Sequence, residues 1–154
     1  MRKKKIIFGI ICLFTILTLT GCGDKTATTP ETFIAAAKNN YYITKDITNQ
    51  YTSYDYIDQV IIAKSPKGYQ IEFYVLSDAN YATSMFNANK NTFESFKSNA
   101  SSSSSVSMGN YSKYSLTSNG YYMYISRIDN TIIYVKEKSN HKDDIKDFIK
   151  ELGY

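Results

Sequence analysis

The chain has 154 residues, 18 of them basic and 14 acidic, with two cysteines, one histidine and no tryptophan. Arg2, Lys3, Lys4 and Lys5 carry the whole positive excess, so the remainder is balanced and gives no electrostatic ground for nucleic-acid binding. A single histidine excludes the common zinc sites, and neither EF-hand spacing nor a glycine-rich phosphate loop is present.

The basic start is followed by an uncharged apolar run, Ile6 to Leu19, and then by Thr20-Gly21-Cys22-Gly23-Asp24. The run has the length of a signal-peptide core and falls short of the ~20 residues a spanning helix needs. Leu19-Thr20-Gly21-Cys22 resembles the lipobox of bacterial lipoproteins: an aliphatic residue, two small ones, then the cysteine that receives lipid. The resemblance implies a diacylglyceryl group on the Cys22 thiol and cleavage just before it. Residues 1–21 are then a signal peptide, 22–28 a lipidated tether and 29–154 a single domain. The membrane becomes a partner through the acylated cysteine, on the extracytoplasmic face of the cell membrane. Cys12 is lost with the leader, so no thiol remains for a disulfide. The Lys-, Asn-, Ile- and Tyr-rich usage suggests an AT-rich, Gram-positive genome.

Thr29-Pro30-Glu31 reads as a helix start, with a capping hydroxyl, proline at the first position and an acid in the first turn. A short helix over 30–39 is expected, then a strand over 41–48. Tyr56 to Lys64 includes Val60-Ile61-Ile62-Ala63, apolar on both faces, as a central strand requires. Ser65-Pro66-Lys67-Gly68 is a turn, and residues 69–75 alternate as a half-buried strand. Ser77 and Asp78 open a second helix, whose apolar Ala82, Met85, Phe86, Phe93 and Phe96 predict core packing out to about residue 98. The serine run 101–105 buries little apolar surface, so 99–110 is expected to be a mobile loop. Strands over 111–117, 121–128 and 131–137 follow, joined by Asn119-Gly120 and Asp129-Asn130. Ile145, Phe148, Ile149 and Leu152 then give the last helix its apolar stripe, with Gly153 placed to end it.

These elements predict an α+β domain in the order α-(βββα)-(βββα). The expected packing is two-layer: a largely antiparallel sheet of five to seven strands with about three helices on one face.

No catalytic constellation emerges, and neither a metal nor a cofactor is called for. His141 at a helix start reads as a solvated polar residue, and Asp143-Asp144 as complements to a helix dipole. The one compositional excess is tyrosine, 15 residues that all lie beyond the leader. They include Tyr41, Tyr42, Tyr51, Tyr54, Tyr56, Tyr111, Tyr114, Tyr121, Tyr122 and Tyr124. Tyrosine suits a sheet with one wet face, and equally a binding surface, because a broad ring carries a polar tip. A face bearing Tyr122, Tyr124 and Tyr134 is the expected ligand-binding place. The reading is therefore a non-enzymatic lipoprotein that binds an envelope protein or a small ligand. The alternative is an envelope-polymer hydrolase using acids such as Asp55, Asp58 and Glu72. A third class is an inhibitory lipoprotein that presents the serine loop.

Overall fold

A computed structural model describes residues 24–154. The proposed leader and Cys22 lie outside the described residues. The chain runs α1 (Pro30–Asn39), β1 (Ile43–Asp46), β2 (Ile57–Lys64), β3 (Gln70–Leu76), α2 (Ala79–Glu94), β4 (Ser102–Met108), β5 (Tyr111–Ser118), β6 (Tyr121–Ile128), β7 (Thr131–Lys138) and α3 (Lys142–Glu151). The fold is α+β, with seven strands in one antiparallel sheet ordered β1-β2-β3-β7-β6-β5-β4.

The local signals act as read. Thr29 caps α1 by accepting from the Thr32 amide, and Asp78 caps α2 by accepting from Asn80 and Tyr81. Asn119 and Gly120 both take positive φ, 51° and 79°, as a type I′ hairpin requires. Among the described residues no helix is long and apolar enough to cross a membrane.

Two expectations are corrected. The serine run is not a loop: Ser102 to Met108 pairs in unbroken register with Thr117 to Tyr111. An edge strand needs only its neighbour's free backbone groups, and β5 supplies them without any serine being buried. The second half of the chain therefore holds four strands rather than three.

The helices also do not share one face. α1 and α3 pack on one side, where Phe33, Phe148 and Ile149 meet Ile71, Phe73, Tyr124 and Ile133. α2 covers the other, where Phe86 and Phe93 meet Val60, Tyr74, Leu116, Ile125 and Ile132. The inner strands carry apolar residues at both parities, so each face must be covered and the arrangement is three layers. The halves are not symmetric copies. β3 and β7 are antiparallel neighbours, so a two-fold relating the halves would run normal to the sheet and leave α2 and α3 on the same face. They lie on opposite faces.

The expected tether is docked from its first described residues. The Lys25 amide donates to Asn110 Oδ1 at 2.9 Å, and Asn110 Nδ2 donates to the Lys25 carbonyl at 2.7 Å. Lys25 Nζ donates to the Gly153 carbonyl and sits 4.0 Å from the centre of the Tyr111 ring. The chain thus enters the domain at the β4–β5 turn.

Candidate functional site

The expected tyrosine face divides in two. Tyr122 and Tyr124 are neighbours on the α3 side, 3% and 5% exposed, with ring centroids 6.3 Å apart. Tyr134 lies opposite Ile125 in the sheet and so faces α2, with its ring 5.5 Å from Phe93. Strand alternation sends even and odd positions of adjacent strands to faces set by register, and the β6–β7 register separates Tyr134 from the other two.

A different set of tyrosines comes together. Tyr74 on β3, Tyr51, Tyr54 and Tyr56 before β2, and Tyr81 on α2 form an unbroken chain of ring contacts. The centroid separations along it are 5.9 Å (Tyr74–Tyr51), 6.4 Å (Tyr51–Tyr54), 5.7 Å (Tyr54–Tyr56) and 5.0 Å (Tyr56–Tyr81). With Met85, Ala88, Ser84 and Asn89 of α2 they line a cup of about 550 Å³. Tyr54 and Tyr81 stand at its rim, 48% and 45% exposed.

The local sequence builds this cup closely. Asp46 accepts from the Thr48 amide and hydroxyl through one oxygen and from Gln59 Nε2 through the other. Those bonds, led by the Thr48 hydroxyl, hold the Asp46 carboxyl below its usual range. They fix the 3₁₀ turn Thr48–Gln50, and two further tight turns follow, Tyr54 N–H to Tyr51 O and Ile57 N–H to Tyr54 O. The spacing 51, 54, 56 then turns three rings the same way. Tyr81 is set by the Asp78 cap, and Tyr74 by its parity on β3.

The base of the cup is polar. Tyr74 Oη donates to Glu72 Oε2, Gln70 Nε2 donates to Glu72 Oε1, and the Tyr51 and Tyr74 hydroxyls are 3.3 Å apart. Burial, reinforced by the Glu72 charge, pushes the Tyr74 phenol well above its ordinary range, so it stays a donor. The Glu72 carboxylate is satisfied by protein donors, and among the described residues no lysine or arginine lines the cup. The site is aromatic and rimmed by hydroxyl and amide groups, with the Glu72 carboxylate beneath it.

Of the candidate acids, Asp55 and Asp58 are exposed, while Glu72 is held by Tyr74 and Gln70. His141 packs its ring against Tyr69, 4.9 Å between centroids. Among the described residues no group of three or more potential metal ligands is present. Sequence reading counted Tyr51, Tyr54 and Tyr56 in the tyrosine excess but missed their partners. Tyr74 and Tyr81 come from elements whose proximity only folding creates. No known protein family, curated protein or solved structure matches the chain.

Proposed function

We propose that this protein is a lipid-anchored, non-enzymatic binding module on the extracytoplasmic face of the cell membrane, and that its cup holds a carbohydrate segment of the envelope. The observation carrying this reading is the continuous arc of five tyrosines around a solvent-open hollow with no basic residue among the described residues that line it. The C–H face of a sugar ring carries slight positive charge and suits the negative face of an aromatic ring. Its hydroxyls find partners in the phenols, Ser84 and Asn89. An anionic ligand would meet the Glu72 charge beneath the cup and no cation among the described residues of the lining.

The placement of the cup supports the anchor reading. Lys25 is docked at the β4–β5 turn, so only Gly23 and Asp24 separate it from Cys22. Ile57 pairs with Leu76, Val75 with Thr131, and Tyr111 with Ile128, so the cup and the chain entry share one end of the sheet. A lipid on Cys22 would hold that end within a few residues' reach of the bilayer, and two acyl chains would keep it there.

The test is titration of the purified protein with oligosaccharides of β-linked N-acetylhexosamines, followed by tyrosine fluorescence. Tyr54→Ala and Tyr81→Ala should each weaken binding about tenfold, on the order of 1–2 kcal/mol for an aromatic contact. Saturable binding that survives both substitutions would refute the cup. For the anchor, Cys22→Ala should abolish palmitate labelling and leave an unprocessed precursor; normal labelling would refute it.

A further inference from the structure

The opposite face of the sheet carries a second depression of about 520 Å³, between α3 and the outer strands β4 and β5. Its floor is built of hydroxyls: Ser115 and Thr117 on β5 lie opposite Ser104 and Ser102 on β4. Lys113 extends the same row of β5, since alternate residues share a face and repeat every ~6.8 Å. The wall is a row of cations. Lys142, Lys146 and Lys150 stand four residues apart on α3, which stacks them at ~6 Å intervals.

This row is not an evenly mixed solvated face. The acids of α3 occupy the adjacent row, Asp143, Asp147 and Glu151, while Asp144 on the far flank binds Lys67 at 2.8 Å. None of the four lysines of the trough makes an ion pair among the described residues, although Asp147 stands at the rim. Wall and floor also run together. Lys142 lies over the Tyr122 ring near the β5–β6 turn, and the far end of α3 reaches Lys25 and, through Tyr154, Thr131 at the other end of the sheet. The result is an open channel with a positive charge about every 6 Å along one side and hydroxyls at a similar pitch beneath.

We propose that this trough binds a linear polyol-phosphate polymer, with successive phosphates on successive lysines and the polyol links over the serine and threonine floor. A chain with one anionic diester per short polyol link matches both repeats, whereas an isolated phosphate engages one or two of the cations. Single-stranded nucleic acid needs open rings for base stacking, and Tyr122 and Tyr124 are buried. This site is independent of the tyrosine cup and of the lipid anchor.

The experiment uses the full chain in neutral detergent, titrated calorimetrically with a synthetic glycerol-phosphate oligomer of about ten repeats. Saturable binding is expected, weakening about 20-fold between 50 and 200 mM monovalent salt, as release of counterions from three phosphates requires. The double variant Lys146→Glu/Lys150→Glu should lose binding at least tenfold while keeping its circular dichroism, and Tyr54→Ala should bind as the parent does. Membrane-linked and wall-linked polymers share this chemistry, and presenting the oligomer on a lipid or in free form separates the two sources. The proposal falls if the double variant binds unchanged. It also falls if inorganic phosphate or oligothymidylate binds as tightly as the oligomer, or if only bare phosphatidylglycerol vesicles bind.

Discussion

The tyrosine cup and the lysine trough sit at diagonal corners of one sheet, and they differ in how their side chains are held. In the cup the groups that face solvent are the tips of a packed aromatic chain. Tyr74, 5% exposed, belongs to the core beneath α2, and each ring outward from it leans on the last. In the trough the recognising groups are long, separate cations above an edge strand that contributes almost nothing to the core, only Val106 packing inward. Stability and recognition are therefore coupled in the cup and nearly independent in the trough. Tyrosines occur in both, but Tyr122 and Tyr124 support the trough from below while Tyr54 and Tyr81 form the rim of the cup.

That contrast can be broken first at Tyr74. Tyr74→Ala removes a buried ring and leaves the Glu72 carboxylate without one of its two donors, so urea denaturation should show a loss of about 3–4 kcal/mol. Carbohydrate binding should vanish with it, and polymer binding by the fraction still folded should persist. Equal loss of both activities would mean that the two corners are not separate.

The floor of the trough gives the next test. In an antiparallel edge strand, successive amides point alternately toward the neighbouring strand and toward water. Of Ser103→Pro and Ser104→Pro, one should therefore cost about 2–3 kcal/mol and the other far less. Amide exchange across 102–108 should show the same alternation. Two harmless prolines would return this segment to a loop.

Alkaline titration separates buried from free rings. Burial pushes the Tyr122 and Tyr154 phenols up to about 12. Between pH 10 and 12 the unfolded chain has released these protons and the folded chain has not, so their contribution to stability should fall across that window and level off above it. Tyr42, Tyr74 and Tyr124, pushed up further by burial, carry the decline onward. Below pH 10 both states are protonated and these groups contribute no slope. Tyr122→Phe should make the decline shallower, and an unchanged slope in that variant would refute the assignment. The smallest effect belongs to Lys146→Ala, which should shift unfolding by less than about 0.5 kcal/mol, because an unpaired exposed cation holds nothing in place. A larger shift would show that the trough wall is structural.

Much of this was legible before folding. Caps at Thr29 and Asp78, the Asn119-Gly120 hairpin, the stripe of α3 and the alternation of β3 act over a few residues, and each formed where those residues stand. The serine run misled because its strand depends on β5, and burial of its own side chains has no part in it. The face proposed for Tyr122, Tyr124 and Tyr134 misled for a related reason. Parity within a strand is local, but whether Tyr134 joins Tyr124 depends on the β6–β7 register.

The helix-covered faces show where the division falls. Val60-Ile61-Ile62-Ala63, apolar at both parities, marked a strand inside the sheet, yet the expected packing set all the helices on one face. Which helix supplied each cover could not be read from the sequence, because α2 and α3 have comparable apolar stripes and either would satisfy either face locally. Sequence by itself determined the turns, the caps and the segments able to span the core, since these are set by backbone preferences and periodicity within one or two turns of chain. Tertiary structure decided which strand edges were completed, which helix lies over which face, and which tyrosines meet, because those outcomes depend on contacts between residues far apart in the chain.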